Sequence, residues 1–141
     1  MFNPKQKKKQ DKHSLSFKRT TPVKAWESMC SENSNPLAIF ALIAEGTRIH
    51  AMSWPGNWAL GQPMRKFVSI ATLNFAQMAK CFVVSSCGIV DAKTIEKLRL
   101  SSTERDFLLN PENSGGSMIV APNADILAGP MGNKEGIIQT F

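Results

Sequence analysis

The chain has no long apolar run. Its longest, Leu37 to Ala44, is eight residues, far short of the roughly 20 that a membrane-spanning helix needs. The basic N-terminal residues are not followed by an apolar stretch of the length a secretory signal requires. Cysteine is scarce: Cys30, Cys81 and Cys87 only. An odd count argues against a complete disulfide framework. No Cys-x-x-Cys pair occurs. The two histidines, His13 and His50, have no metal-ligand spacing to each other or to a cysteine. No metal and no other cofactor is therefore expected. Cys81 and Cys87 flank an apolar stretch and read as small core or loop residues. No internal repeat is present, and the length allows one domain. These absences point to a reducing compartment, so a cytoplasmic location with no membrane partner is expected.

Acidic residues are scarce at one end. Residues 1–24 carry Lys5, Lys7, Lys8, Lys9, Lys12, Lys18, Arg19 and Lys24 against Asp11 alone. That segment is +7 where the whole chain is +6, which leaves the rest at −1. The high isoelectric point, about 9.5, thus belongs to the tail. Such a tail reads either as a nucleic-acid or anionic-surface contact or as a solvated, disordered leader. No aromatic is interleaved within Lys5–Lys12 for base stacking. That favours the leader over nucleic acid.

What is present is concentrated around Cys30. The order Met29-Cys30-Ser31-Glu32-Asn33-Ser34-Asn35-Pro36 precedes the apolar run Leu37–Ala44. Asn35 is a good N-cap, Pro36 suits the first helical position, and Gly46 suits a helix stop. The pattern predicts strand, tight turn, helix, with Cys30 in the turn. A thiol held there is on a short lever near the positive end of a helix, where a nucleophile is favoured. Asn33 reads as a turn residue.

The string from Cys30 to Ala38, continued by Phe40 to Gly46, resembles the catalytic-cysteine segment of nitrilases, members of the carbon–nitrogen hydrolase superfamily. Further blocks are similar in the family's order: Arg48 to Gly56 with its Trp54-Pro55, Ala79 to Ser86, Gly115 to Pro122, and Glu135 to Ile138. Together they cover roughly residues 21–141. The resemblance implies a partial nitrilase-like α-β-β-α sandwich, a mixed sheet with flanking helices, behind a disordered basic leader at residues 1–20. It implies the C-terminal half of the family's domain, apparently truncated.

It also implies chemistry: hydrolysis of a nitrile to a carboxylic acid plus ammonia, through a cysteine thioimidate and then a thioester. Cys30 takes the nucleophile's place. Glu32 and Ser31 take supporting places, one orienting the turn, the other offering a backbone N–H to the anionic centre. Trp54 and Pro55 match positions near the substrate pocket. The family's base glutamate and its lysine lie upstream of the cysteine, in segments without counterpart here. The polypeptide alone is therefore expected to be inactive. Glu45 and Lys80 are candidate replacements. The expected partners are a nitrile or amide if a complete site is assembled, and further copies or a full-length nitrilase. The alternative function is a non-enzymatic partner that modulates assembly of a full-length relative. His50, in an apolar strand, reads as a core histidine rather than a base. The strand leading into Cys30 departs from the family in carrying Glu27, a poor residue for a buried strand.

The remaining elements follow from periodicity. A short strand ends at Met29, and a helix over 36–45, apolar nearly all round, is predicted to be buried on several sides. Arg48–Trp54 is a strand. Met64, Phe67, Val68, Ala71, Phe75, Met78 and Ala79 fall on one helical face, with Arg65, Lys66, Ser69 and Thr72 largely on the other. Cys81–Ser86 is a buried strand. Two short helical pieces follow over 94–100 and 102–109. Strands over 117–121, 126–128 and 136–141 close an α/β order.

Overall fold

A computed structural model of the chain describes residues 23–57 and 61–141. The leader assigned to residues 1–20 lies outside the described residues. Five strands form one mixed sheet in the order β1-β2-β3-β4-β5: Ala25–Met29, Ile49–Trp54, Phe82–Cys87, Met118–Val120 and Ile126–Ala128. The first three run parallel and the last two antiparallel.

Helix α1 (Pro36–Ala44) joins β1 to β2, and α2 (Met64–Ala79) joins β2 to β3. Two right-handed crossovers that step the same way along a sheet put both helices on the same face. Short helices α3 (Ala92–Glu96) and α4 (Ser102–Leu109) lie between β3 and β4. Their Ile95 and Leu108 form a small core with Val90 of the loop before α3.

Local chemistry starts and stops these helices as the sequence suggests. The Asn35 side chain accepts from the Leu37 N–H at 3.0 Å, with Pro36 in the first turn. Gly46 turns the chain out of α1 at φ 72°, a conformation glycine adopts freely. Ser101 and Glu104 form a reciprocal capping box on α4. Helix α2 buries Met64, Val68, Ala71, Thr72, Phe75, Ala76 and Ala79. Thr72 is in the core after all, because its hydroxyl donates to Ser85 Oγ at 3.2 Å. Phe67 and Met78 face outward instead.

The main core lies between α2 and one sheet face, where Met52, Trp54, Val83, Met118 and Val120 are buried. Alternation sends Ile49, Phe82 and Val84 to the opposite face, where they remain 36–45% exposed. Parallel strands are ordinarily covered on both faces. Here no described element covers the second one. Glu27 shares that face on edge strand β1 and is exposed, so no carboxylate is buried.

Two expectations are corrected. Helix α1 buries only Ile39, leaving Leu37 78% and Phe40 70% exposed. Its apolar outer side meets no second layer among the described residues. Residues 136–141 form no strand, and Ile137 and Phe141 are exposed. An apolar alternation makes a strand only where a neighbour takes its backbone groups.

Candidate active site

The C-terminal ends of β1 and β2 and the N-terminal end of α2 meet at one edge of the sheet. In open α/β sheets ligands bind at that end of the strands. Cys30 follows the last residue of β1 directly. It opens a 3-10 turn, Cys30–Ser34, which separates it from α1. The expected proximity to the first turn of α1 is thus replaced by a position at the start of this tighter turn. Cys30 has φ 45°, a left-handed conformation that costs a residue bearing a Cβ some energy. The thiol is half-buried and lines a cavity of about 410 Å³.

Cys30 and Ser31 form one wall of that cavity, and Met64, Lys66, Phe67 and Ile70 of α2 form another. The lining is mostly apolar, with Lys66 its only charged side chain among the described residues. Phe67 is braced from behind by Trp54, whose ring meets it edge to face at 5.5 Å. Trp54 is itself buried, so it shapes the wall without lining it. Pro55 is exposed, and its carbonyl accepts from the Cys87 thiol at 3.3 Å. Glu32 is exposed in the Cys30 turn, its carbonyl accepting from the Asn35 N–H at 3.1 Å.

Topology decides the two candidate replacements. Glu45 caps the C-terminal end of α1, and Lys80 the C-terminal end of α2. In a parallel β-α-β unit both places precede the next strand. They therefore lie at the opposite end of the sheet from Cys30, a strand length or about 15 Å away. Lys80 donates to Gln77 at 2.9 Å there.

Beneath the turn is a buried polar cluster. His50 and Asn33 are 0% and 1% exposed. His50 Nε2 lies 3.0 Å from Ser28 Oγ and 3.2 Å from Asn33 Oδ1. Its ring stacks on Phe75 at 4.1 Å. Burial holds the imidazole pKa down, to about 4, so it is neutral at ordinary pH and sits in the core. Burial pushes the Cys81 and Cys87 thiols up to about 11. Among the described residues no cluster of three metal-ligating side chains occurs, and no helix is long and apolar enough to cross a membrane.

Sequence reading missed the helix α2 wall and the buried Asn33. The signal for the first was available: a helix that follows a parallel strand starts at the end where that strand's neighbours also finish. Lys66 was legible only as part of a polar helix face.

No family model matches the chain. A nitrilase of Pseudomonas syringae pv. syringae (strain B728a) is 31% identical over 127 residues, 84% of this chain and 36% of that protein. A bifunctional nitrilase/nitrile hydratase of Lupinus angustifolius is 31% identical over 126 residues, 84% of this chain and 33% of its own length. Among solved structures, a carbon–nitrogen hydrolase from Helicobacter pylori G27 superposes with a TM-score of 0.57 at 12% identity, over 81% of this chain and 38% of that one. An amidase variant from Nesterenkonia sp. AN1, in complex with butyramide, does so with a TM-score of 0.55 at 12% identity, over 79% and 35%. The chain is similar to one stretch of these nitrilase sequences, and its fold matches part of the carbon–nitrogen hydrolase fold. It spans about a third of the length of the curated relatives it matches.

Proposed function

We propose that this chain is the cysteine-bearing part of a nitrilase-type hydrolase, acting on carbon–nitrogen bonds other than peptide bonds, with Cys30 as the nucleophile. The observation that carries the reading is the place of Cys30. It stands in a left-handed turn at the end of a parallel strand and opens onto a cavity, in a sequence 31% identical to nitrilases. A substituted variant of an amidase of this fold from Nesterenkonia sp. AN1 shows Michael addition of acrylamide at the active site cysteine, which supports covalent chemistry on this scaffold.

The chemistry requires a thiolate. Its sulfur adds to the nitrile carbon while the nitrogen takes a proton, giving a thioimidate. Water then adds and ammonia leaves, giving a thioester. A second water releases the acid and returns the thiol. Backbone N–H groups of the turn, from Ser31 onward, suit the anionic tetrahedral centre, and Glu32 suits orientation of the turn. A base and a second cation must come to Cys30. Glu45 and Lys80, at the far end of the sheet, do not reach it. On this reading residues 1–141 by themselves do not turn over, and those groups come from outside them.

The test is complementation. The chain is mixed with a separately expressed N-terminal portion of a nitrilase relative, and ammonia release from aliphatic and aryl nitriles and amides is followed. Background release from the chain alone, and release from the mixture that is lost in Cys30→Ala, is the expected result. Release that survives Cys30→Ala sinks the assignment.

A second reading rests on the uncovered sheet face with Ile49, Phe82 and Val84. A non-enzymatic chain could bind a full-length nitrilase through it and alter its assembly. Stable co-purification with an intact nitrilase, without any gain in ammonia release, favours that reading.

A further inference from the structure

His50 sits in β2, level with Trp26 of β1 and Val83 of β3. Three of its surroundings are fixed by geometry. Phe75 covers its ring, nearly parallel at 10°. Ser28 and Asn33 meet its Nε2. These two partners stand on either side of Cys30 in the chain, Ser28 two residues before it and Asn33 three after. They are also joined to each other: the Ser28 hydroxyl donates to Asn33 Oδ1, and Asn33 Nδ2 donates to the Ser28 carbonyl at 3.4 Å. The two ends of the turn that bears Cys30 are thus clipped together over one imidazole.

Proton placement follows from the network. Asn33 Oδ1 accepts from Ser28, and the amide nitrogen of Asn33 is committed to the Ser28 carbonyl. Nε2 therefore faces two oxygens, Asn33 Oδ1 and Ser28 Oγ, which can accept from it. It must carry the ring's proton. Nδ1 is buried with no partner, so a second proton there would find no acceptor. The ring is a neutral Nε2–H donor with one unmet nitrogen, Nδ1. Asn33 is the only buried residue of the 3-10 turn, so this bond is the turn's tie to the core.

We propose that His50 is a positioning residue for Cys30: its Nε2–H fixes Ser28 and Asn33, and these hold the left-handed turn that presents the thiol to the cavity. The proposal rests on the reading of Cys30 as nucleophile. A histidine that only filled space would be replaceable by an aromatic ring of similar size without effect on the thiol.

The experiment measures the alkylation rate of each cysteine by iodoacetamide in the native chain, by peptide mass spectrometry. It compares wild type with His50→Phe, which keeps a ring and loses the donor, and His50→Gln, whose amide nitrogen reaches as far as Nε2. Cys30 is expected to slow about tenfold or more in His50→Phe, the step that loss of one hydrogen bond to a buried group corresponds to. It is expected to stay within about threefold of wild type in His50→Gln. Cys81, buried in the main core, reports whether the fold survives. If His50→Phe exposes Cys81, the decision passes to Ser28→Ala and Asn33→Ala, which must slow Cys30 while Cys81 stays protected. Undiminished Cys30 labelling in variants that keep Cys81 protected overturns the positioning role alone. Wild-type Cys30 no faster than Cys81 and Cys87 overturns the nucleophile reading, and the proposal with it.

Discussion

Acid should destabilise this fold through one residue. His50 is fully buried, and its pKa falls from 6.5 to about 4 because the charged ring would lose its water. In the unfolded chain the ring returns to its ordinary value. Between those two values the unfolded state binds a proton that the folded state refuses. Stability is therefore fully present above about pH 6.5 and is lost as the pH falls towards 4. Each pH unit in that window is worth up to about 1.4 kcal/mol. From about pH 7.5 to about pH 5 the loss is about 2 kcal/mol, and it approaches about 3 kcal/mol below pH 4. Against a typical total of about 5–15 kcal/mol, that is a large share.

The assay is urea unfolding across this range for wild type and His50→Gln, whose side chain does not titrate. Other groups complicate only the acid end. The carboxyls of Asp91 and Glu104 are held below their usual range by hydrogen bonds from Thr94 and Ser101 respectively. Their contribution is present above the ordinary carboxylate range and is lost as pH falls through their lowered values, below the window of His50. The expected result is a wild-type midpoint that falls between about pH 6.5 and pH 5 while that of His50→Gln stays level. An NMR titration of the imidazole should likewise show no protonation of the folded form above about pH 5. Equal slopes for the two proteins in that window would refute the neutral-donor account of His50.

Three further outcomes are expected. Burial of Cys81 and Cys87, with pKa values near 11, leaves about 100-fold less thiolate than an ordinary thiol at neutral pH, so timed alkylation should label Cys30 first. Preferential labelling of Cys81 in the folded chain would contradict the placement. The sheet face with Ile49, Phe82 and Val84 should bind an apolar dye and drive association on size exclusion, since such side chains gain about 1.5–3 kcal/mol each on full burial. Phe82→Ser with Val84→Thr should shift the chain towards monomer and reduce dye binding, and unchanged elution would count against that face. Ser101→Ala removes one half of the α4 capping box and should cost about 1 kcal/mol, read as faster amide exchange confined to residues 102–109.

The local features of this chain are legible in its sequence because they are settled within one or two helical turns. Asn35 and Pro36 start α1, and Glu104 suits the first turn of α4. The run from Met64 to Ala79 has the period of an amphipathic helix. The ordered blocks around Cys30, Trp54 and Ser117 carried the nitrilase resemblance for the same reason: each block is a short segment whose pattern does not depend on distant partners. The site is different. Handedness of the crossovers and strand register put Glu45 and Lys80 at the wrong end of the sheet. The same geometry brought Phe67 and Lys66 beside Cys30, and seated Asn33 and Ser28 on His50. Period alone also overstated burial, for α1 and for residues 136–141. An apolar pattern states a demand for cover, while only the arrangement of the other elements supplies it. Among the described residues nothing covers the outer side of α1 or the second sheet face, so Leu37, Phe40, Phe82 and Val84 stay exposed, and that consequence belongs to the tertiary structure.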